Sequence, residues 1–189
     1  MRYPEFLKEN GTIGFVAPSF GCSTEPYRTA FNHALDKWKK EGYGIDIGPN
    51  CYENSGVGIS NTPEKCAEEL TEWYCRKEND ILISCGGGVP LRQGNVDNMR
   101  ACGVIVLLTA DPKWYLGYSD NTNMTYLLTT LCDTAAVYGP CAASFGMEPP
   151  HPSIKDTFAL LRGKKLSFES YELYEKESLK SEENPLAPY

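Results

Sequence analysis

The sequence predicts an α/β protein with a mostly parallel β-sheet flanked by helices. Short apolar runs that are typical of buried strands alternate with longer stretches of helical periodicity. The order strand, helix, strand, helix, strand over residues 12–84 requires crossover connections, which join parallel strands. With 189 residues, of which 41% are hydrophobic, the chain is long enough for one domain with a sizeable core.

Three apolar runs in the first half of the chain are predicted to be strands: 12–17, 43–47 and 80–84. The first is partly β-branched and ends at a Pro-Ser pair, as a buried strand that enters a loop does. The third is followed by the glycine run Gly86 to Gly88. Because glycine lets backbone N–H groups approach a ligand closely, this run is a candidate anion-binding loop, although a plain turn has the same composition.

Two helices are expected to join these strands. In the first, between residues 24 and 41, four apolar residues recur at i, i+3, i+4 and i+7 and so share one face: Phe31, Ala34, Leu35 and Trp38. The start of the second is predicted at Thr62-Pro63-Glu64, which combines a capping hydroxyl, a proline at the first helical position and an acid near the positive end of the helix dipole. This helix is expected to run to about Lys77.

A second α/β unit is predicted over residues 114–163. Its strand, 114–116, turns at Gly117 to Asp120 into a helix with four apolar residues at the same helical spacing: Met124, Leu127, Leu128 and Leu131. A further strand is expected over 135–138, and a last helix is expected to end at Gly163. Together these elements extend the parallel sheet.

Ser119 lies between a predicted strand and a predicted helix, which is the setting of a nucleophile elbow. Gly117 would permit the tight turn, and the start of the helix offers N–H groups and a positive dipole end that stabilise an oxyanion. Asp120 would supply one such N–H. The motif is Gly-x-Ser-x-Asn where the hydrolase elbow has Gly-x-Ser-x-Gly, and a serine that opens a helix is usually a cap. Both interpretations stay open on the pattern alone.

Composition narrows the classes of function. A net charge of -7 and a pI near 4.9 argue against nucleic-acid binding, which needs clustered Lys and Arg. No apolar run approaches the ~20 residues of a membrane helix, and the first ten residues are mixed and charged, so we expect no membrane association and a cytoplasmic protein. The eight cysteines are scattered and expected to be reduced. Without a Cys-x-x-Cys pair, and with two histidines, no metal site is predicted.

Four motifs occur in the same order as in the LD-carboxypeptidases, a family that includes the microcin C immunity proteins. They are the segment 11–19, the glycine run after 80–84, the segment 112–123 and Tyr138-Gly139-Pro140. The form Trp-Tyr-x-Gly-Tyr-Ser-Asp-Asn-Thr-Asn at 114–123 is most similar to the immunity-protein branch. The chain therefore resembles the N-terminal domain of this serine peptidase family, S66.

The resemblance implies a Rossmann-like or flavodoxin-like nucleophile domain over residues 1–165. It implies that Ser119 is the nucleophile and that the backbone N–H groups of Asp120 and Gly87 form the oxyanion hole. Family members are serine-type carboxypeptidases that use no metal or other cofactor. They cleave an amide bond in murein peptides or in aminoacyl-nucleotide antibiotics, so a small peptide or an aminoacyl nucleotide is the expected substrate. Dimerisation is common among such enzymes, which makes a homodimer an expectation as well.

The chain departs from the family pattern in two respects. The general base His and its Glu partner belong to a following domain that this chain is expected to lack, and the acidic segment 166–189 is expected to be a linker towards it. Neither His33 nor His151 matches the catalytic position, so weak or no activity is expected. Residues 89–110 lack the family's amphipathic pattern and are interpreted as read out of frame. The alternatives are a non-catalytic truncated remnant and a module that binds a small anion or ligand.

Overall fold

The computed structural model describes residues 1–87, 110–172 and 174–188, and its centre is a parallel β-sheet. The strands are β1 Thr12–Val16, β2 Gly44–Ile47, β3 Ile81–Ser84, β4 Trp114–Gly117 and β5 Val137–Tyr138. Within the described residues the strand order is β2-β1-β3-β4-β5. Every adjacent pair is parallel, as in the register Ile13 to Ile81 and Leu116 to Val137. The predicted α/β fold with a parallel sheet is confirmed.

In the described part of the chain four α-helices flank the sheet: α1 Tyr27–Lys40, α2 Pro63–Cys75, α3 Thr122–Thr130 and α4 Pro152–Leu161. Two short 3-10 segments are described there as well, Ser119–Asn121 after β4 and Ala142–Gly146 after β5. The predicted cap of α2 is present, since the Thr62 hydroxyl accepts a hydrogen bond from the Lys65 N–H. The structure ends α2 at Cys75, slightly before the expected Lys77.

The sheet carries an apolar core on each face. On one face the rings of Phe15, Phe31, Trp38 and Phe145 contact one another and bury α1 and the second 3-10 segment against the sheet. On the other face α2 and α3 cover Leu82 and Tyr115. Because the central strands β1, β3 and β4 are buried on both faces, their carboxyl ends are left as the edge where loops meet.

One residue that was predicted to lie on the buried apolar face of α3 is exposed in the structure. Met124, Leu127 and Leu128 are buried as expected, but Leu131 is 53% exposed. The helix ends at Thr130, so Leu131 follows the last helical residue and does not continue the buried face. Periodicity identified the helix correctly and overran its end by one residue.

The acidic segment expected to be a solvated linker is anchored at its far end. Most side chains between 166 and 184 are exposed, and none of the described residues there belongs to a strand or helix. Leu186 nevertheless packs against the main core, and its carbonyl accepts a 2.8 Å hydrogen bond from the Glu148 N–H. Ala187 is 4% exposed. The segment also contacts the domain before its end, because the Tyr171 hydroxyl donates a 2.9 Å hydrogen bond to Asp156 in α4.

The stretch interpreted as read out of frame lies outside the described residues except for Ala110, whose carbonyl accepts a hydrogen bond from Arg2. Across the described part of the chain, no helix has the length and apolar character needed to span a bilayer.

Candidate active site

Ser119 occupies a strained turn at the carboxyl end of β4. Its backbone φ is +61°, in the left-handed region that residues other than glycine seldom adopt. The preceding residue, Tyr118, is extended, and the 3-10 segment and α3 follow directly. The Ser119 side chain is exposed. A strained strand-to-helix turn that presents a serine hydroxyl is the geometry of a nucleophile elbow.

Hydrogen bonds hold the turn on both sides of Ser119. The Ser119 N–H donates to the Tyr138 hydroxyl at 3.2 Å, and the Ser119 carbonyl accepts from the Thr122 hydroxyl. The Asn121 N–H donates to the Tyr118 carbonyl at 3.3 Å. These contacts offset the cost of the left-handed conformation, which is on the order of 1–3 kcal/mol.

Gly117 serves the turn in a way that differs from the prediction. The positive φ falls on Ser119, and Gly117 is not among the described glycines with a positive φ. A Cβ atom at position 117 would lie 2.6 Å from Cγ of Asn121. Glycine is therefore needed here to make room for the Asn121 side chain, and backbone freedom is not the reason.

The glycine run after β3 lies directly against Ser119. A Cβ atom built on Gly87 would be 2.7 Å from Cβ and 3.3 Å from Oγ of Ser119, and 2.9 Å from the Tyr118 carbonyl oxygen. Any side chain at position 87 would collide with the elbow, so glycine permits the close approach. Gly88 lies outside the described residues. The structure thus brings together Gly87 and Ser119, which are 32 positions apart in the sequence.

A buried asparagine joins the elbow to the glycine run. Asn121 is 2% exposed, and its Nδ2 donates to the carbonyls of Tyr118 at 3.0 Å and Gly86 at 3.2 Å. Its Oδ1 accepts from the hydroxyl of Tyr115, which is fully buried. Burial raises the pKa of Tyr115 well above its ordinary value, so this phenol is a neutral donor.

Asp120, the third predicted site residue, is linked to the loop after β1. The Ser19 hydroxyl donates a 2.7 Å hydrogen bond to Oδ2 of Asp120. Ser19 is 5% exposed and belongs to the segment 11–19 that the sequence singled out. The residues expected to form one site therefore lie on two loops at the carboxyl edge of the sheet, after β3 and β4, and Ser19 adds a contact from the loop after β1. Open α/β folds bind ligands at this edge.

Comparison with known proteins identifies the family of this chain. The family model of the LD-carboxypeptidase N-terminal domain, Peptidase S66, matches residues 13–139. The chain belongs to the LD-carboxypeptidase family. A relative from Treponema pallidum (strain Nichols), named "Putative carboxypeptidase", is 23% identical over 143 residues, which are 75% of this chain and 40% of the relative.

Solved structures share the fold of this LD-carboxypeptidase chain. The microcin C7 self immunity protein MccF, as a mutant in complex with adenosine monophosphate, superposes with a TM-score of 0.78 at 22% identity, over 96% of this chain and 54% of MccF. An MccF-like protein from Bacillus anthracis str. Ames gives a TM-score of 0.72 at 18% identity, over 85% and 47%. The chain thus spans about half the length of the relatives it matches.

Both histidines of this LD-carboxypeptidase chain make structural contacts. Nδ1 of His33, in α1, lies 2.8 Å from the Gly146 carbonyl oxygen. His151 precedes α4, and its Nδ1 accepts from the Ser153 N–H at 3.2 Å as a helix cap. These positions agree with the packing or surface roles expected for them. Within the described residues, no group of three or more His, Cys, Asp or Glu side chains is placed to hold a metal ion.

A buried carboxylate behind the site was missed by the sequence analysis. Glu69, in α2, is 2% exposed, and its two oxygens accept 2.8 Å hydrogen bonds from the N–H groups of Ala17 and Asn50. Burial raises its pKa to about 7, against the opposing effect of these two hydrogen bonds. Glu69 thereby fixes the end of β1 from which the Ser19 loop departs.

A signal for Glu69 was present in the sequence. Glu69 falls between Cys66, Leu70 and Trp73 at the spacing i, i+3, i+4 and i+7, on the buried face of α2. The other glutamates of this helix are exposed. An acid on an apolar face predicts a buried, hydrogen-bonded carboxylate.

Buried thiols line the base of the glycine run. The side chain of Cys22 donates to the Cys85 carbonyl at 3.6 Å, and both residues are fully buried with Cys51. Burial raises the pKa of Cys51 and, well above its ordinary value, that of Cys85. Such thiols are neutral and inert, so they fill space beneath the site. The seven described cysteines are unpaired, and Cys102 lies outside the described residues.

Proposed function

We propose that this chain provides the nucleophile of a serine-type LD-carboxypeptidase that cleaves an amide bond in a small substrate. The observation that carries the proposal is the exposed Ser119 hydroxyl on a left-handed turn with Gly87 packed against it. A serine that served only as a helix cap would not need a strained backbone or a glycine in contact. Membership of the LD-carboxypeptidase family supports this role.

In the proposed reaction, Oγ of Ser119 adds to the carbonyl carbon of the amide, and its proton passes to a general base. The N–H groups of Asp120 and Gly87 stabilise the oxyanion that forms on the carbonyl oxygen. The C–N bond then breaks, the leaving amine takes up the proton from the base, and water hydrolyses the acyl-enzyme. Neither a metal nor an organic cofactor takes part in these steps.

The general base is proposed to come from outside the described residues. Both imidazoles of the chain make structural contacts, His33 with Gly146 and His151 with Ser153. Without a base, Ser119 is a weak nucleophile at neutral pH, and the oxyanion hole together with binding would leave a small residual rate. We therefore propose weak or no turnover for this chain by itself.

The substrate is proposed to be a murein-type peptide or an aminoacyl nucleotide. Solved MccF structures hold adenosine monophosphate, aspartyl sulfamoyl adenosine or glutamyl sulfamoyl guanosine. One MccF described as an active site mutant has a serine, an asparagine and a lysine replaced by alanine. These observations on MccF guide the choice of probes for this chain. A cytoplasmic location and a homodimeric state are proposed on the family resemblance.

The experiment is hydrolysis of an L,D-tetrapeptide and of an aminoacyl sulfamoyl adenosine by the purified chain, beside a Ser119→Ala variant. Turnover by the unaltered chain that is lost in Ser119→Ala would support Ser119 as the nucleophile. It would also show that a general base is available to the chain, contrary to the weak or absent turnover proposed above. Turnover unaffected by the variant would contradict the proposal. Weak or no turnover is the result expected of the chain alone. Saturable binding of either compound, measured by calorimetry, that is still not followed by turnover when a family domain supplying the base is added would favour a ligand-binding module.

A further inference from the structure

Asn121 is placed to control the geometry of the candidate oxyanion hole without touching the substrate. Its side chain is buried directly behind the Ser119 turn, between β4 and the glycine run. Glycine at position 117 makes room for it, since a Cβ there would lie 2.6 Å from Cγ of Asn121. The absence of a side chain at position 117 in β4 therefore leaves the space that the Asn121 amide occupies.

The orientation of the Asn121 amide is fixed by its partners. The carbonyl oxygens of Gly86 and Tyr118 can only accept hydrogen bonds, so the NH2 group must face them. The neutral Tyr115 hydroxyl donates to the remaining Oδ1. Both N–H bonds of the amide are therefore engaged with carbonyl oxygens. If the amide were rotated by 180°, its Oδ1 would face these carbonyl oxygens, and neither atom could donate a hydrogen bond.

Each of these two carbonyls belongs to a peptide unit that borders the reacting atoms. In a trans peptide the C=O and the following N–H lie in one plane and point in opposite directions. Holding the Gly86 carbonyl therefore sets the direction of the Gly87 N–H, the proposed oxyanion donor. Ser84 assists, because its hydroxyl donates to the same carbonyl at 3.2 Å.

The second peptide unit is the one that enters Ser119. Asn121 holds the Tyr118 carbonyl at 3.0 Å, and Tyr138 accepts from the N–H of the same unit at 3.2 Å. With both ends of this plane held, the left-handed φ of Ser119 is maintained. A single amide thus contacts both the loop that carries Gly87 and the turn that carries Ser119.

We propose that Asn121 is a positioning residue that aligns the Gly86–Gly87 and Tyr118–Ser119 peptide planes, and thereby sets the oxyanion donor relative to the nucleophile. The catalytic half of this statement depends on the proposed function of Ser119. The structural half does not, because it concerns the direction of the Gly87 N–H. The experiment is designed to separate the two.

The first measurement is NMR on the full chain, with glycine as the labelled residue type: its carbonyl carbon is 13C and its nitrogen is 15N. Gly86-Gly87 and Gly87-Gly88 are the only Gly-Gly pairs in the sequence, so only two amides show coupling to a labelled carbonyl, and a Gly88→Ala variant distinguishes them. Asn121→Ala and Asn121→Asp should move the Gly87 signal by more than its linewidth and speed its hydrogen exchange at least about tenfold.

The control is Asn61→Asp, which removes another buried amide whose Nδ2 donates to Oδ1 of Asn50 at 2.9 Å. It should lower the melting temperature and leave the Gly87 signal in place, which separates general destabilisation from positioning. A Gly87 signal that stays unmoved in both Asn121 variants would overturn the inference, whatever the activity of the protein.

The second measurement is the rate at which a fluorophosphonate modifies Ser119, followed by the mass of the Ser119 peptide. Modification should slow roughly 10- to 100-fold in the Asn121 variants and remain unchanged in Asn61→Asp, because a displaced donor loses most of its stabilising effect. Because the general base is proposed to come from outside the described residues, modification of the unaltered chain is expected to be slow. No modification at Ser119 even after long incubation would contradict the catalytic half, while the Gly87 signal still decides the structural half. Equal modification rates in all variants would contradict the catalytic half.

Discussion

The Ser19 hydroxyl donates a 2.7 Å hydrogen bond to the Asp120 carboxylate and so ties the loop after β1 to the residue that follows the candidate nucleophile. The two residues are 101 positions apart in the sequence. Because Ser19 is almost fully buried, this contact is shielded from water on the Ser19 side. It sets the position of Asp120, whose backbone N–H is the second proposed oxyanion donor.

Replacing Ser19 with alanine should lower the free energy of unfolding by about 1 kcal/mol, the usual net worth of a hydrogen bond, or somewhat more for one to a charged group. Urea denaturation measures this change. Ser170→Ala, at an exposed position, is the matched control and should leave the midpoint unchanged. Equal stability of the Ser19 and Ser170 variants would mean that the Ser19 contact does not persist in solution.

Gly87→Ala should disturb the elbow, because the new Cβ would lie 2.7 Å from Cβ of Ser119 and 2.9 Å from a backbone carbonyl. We expect a loss of roughly 1–3 kcal/mol in the free energy of unfolding, as for other overpacked sites. Differential scanning calorimetry provides the measurement. At Gly139 the nearest atoms to a new Cβ are the ends of flexible side chains, the closest at 3.1 Å, so Gly139→Ala should cost less. The reverse order would contradict the close contact of Gly87 with Ser119.

Glu69 should make the protein more stable under mildly acidic conditions. Its pKa is about 7 in the folded state against an ordinary value of 4.5, so between these pH values the folded protein binds a proton that the unfolded chain does not. Stability from this group is therefore lost as the pH rises from about 4.5 to about 7. At about 1.4 kcal/mol per pH unit, the full change is on the order of 3 kcal/mol.

The measurement is the free energy of unfolding in urea from pH 4.5 to 7.5, compared between the unaltered protein and Glu69→Gln. Glutamine resembles the protonated acid, so the variant should lose most of this slope. Glu68→Gln removes the exposed neighbouring carboxylate and should keep the slope. A steep dependence that survives in Glu69→Gln would assign it to another group.

Among the seven described cysteines, Cys75 should be the first to react with a thiol reagent. Cys75 is exposed, whereas the other six are buried. Burial leaves those six to react only through local opening, at least about 100-fold more slowly. Peptide mass mapping after brief labelling identifies the modified residue. Cys75→Ser should remove the fast phase and Cys66→Ser should retain it; rapid labelling of Cys85 would contradict the closed packing beneath the glycine run.

Local and periodic features of this fold could be predicted from the sequence. The start of α2 at Thr62-Pro63-Glu64 was correct because capping depends on residues that are adjacent in the chain. The prediction of a parallel sheet was confirmed, because apolar runs that form strands alternate with stretches of helical periodicity in the sequence. The order of strands outside the first three elements, by contrast, depends on packing between segments that are distant in the sequence.

The residues proposed for the candidate site could be singled out from the sequence, whereas the geometry of the turn that holds them could not. Strain at Ser119 gave no sequence signal, because serine has no particular preference for a positive φ. The role of Gly117 was misjudged because a glycine before a serine suggests a turn, whereas here it makes room for Asn121. The docking of Leu186 after a long acidic stretch was equally hidden, since it depends on one carbonyl that meets Glu148.

The contact between positions 117 and 121 has a consequence for evolution. With asparagine at 121, any side chain at 117 would lie within 2.6 Å of the amide carbon, so the two positions cannot vary independently. Among homologous sequences we expect co-variation: lineages that retain asparagine at 121 keep glycine at 117, and lineages with a larger residue at 117 carry a smaller one at 121. A substitution at either position is therefore expected to be retained only when the other position changes with it.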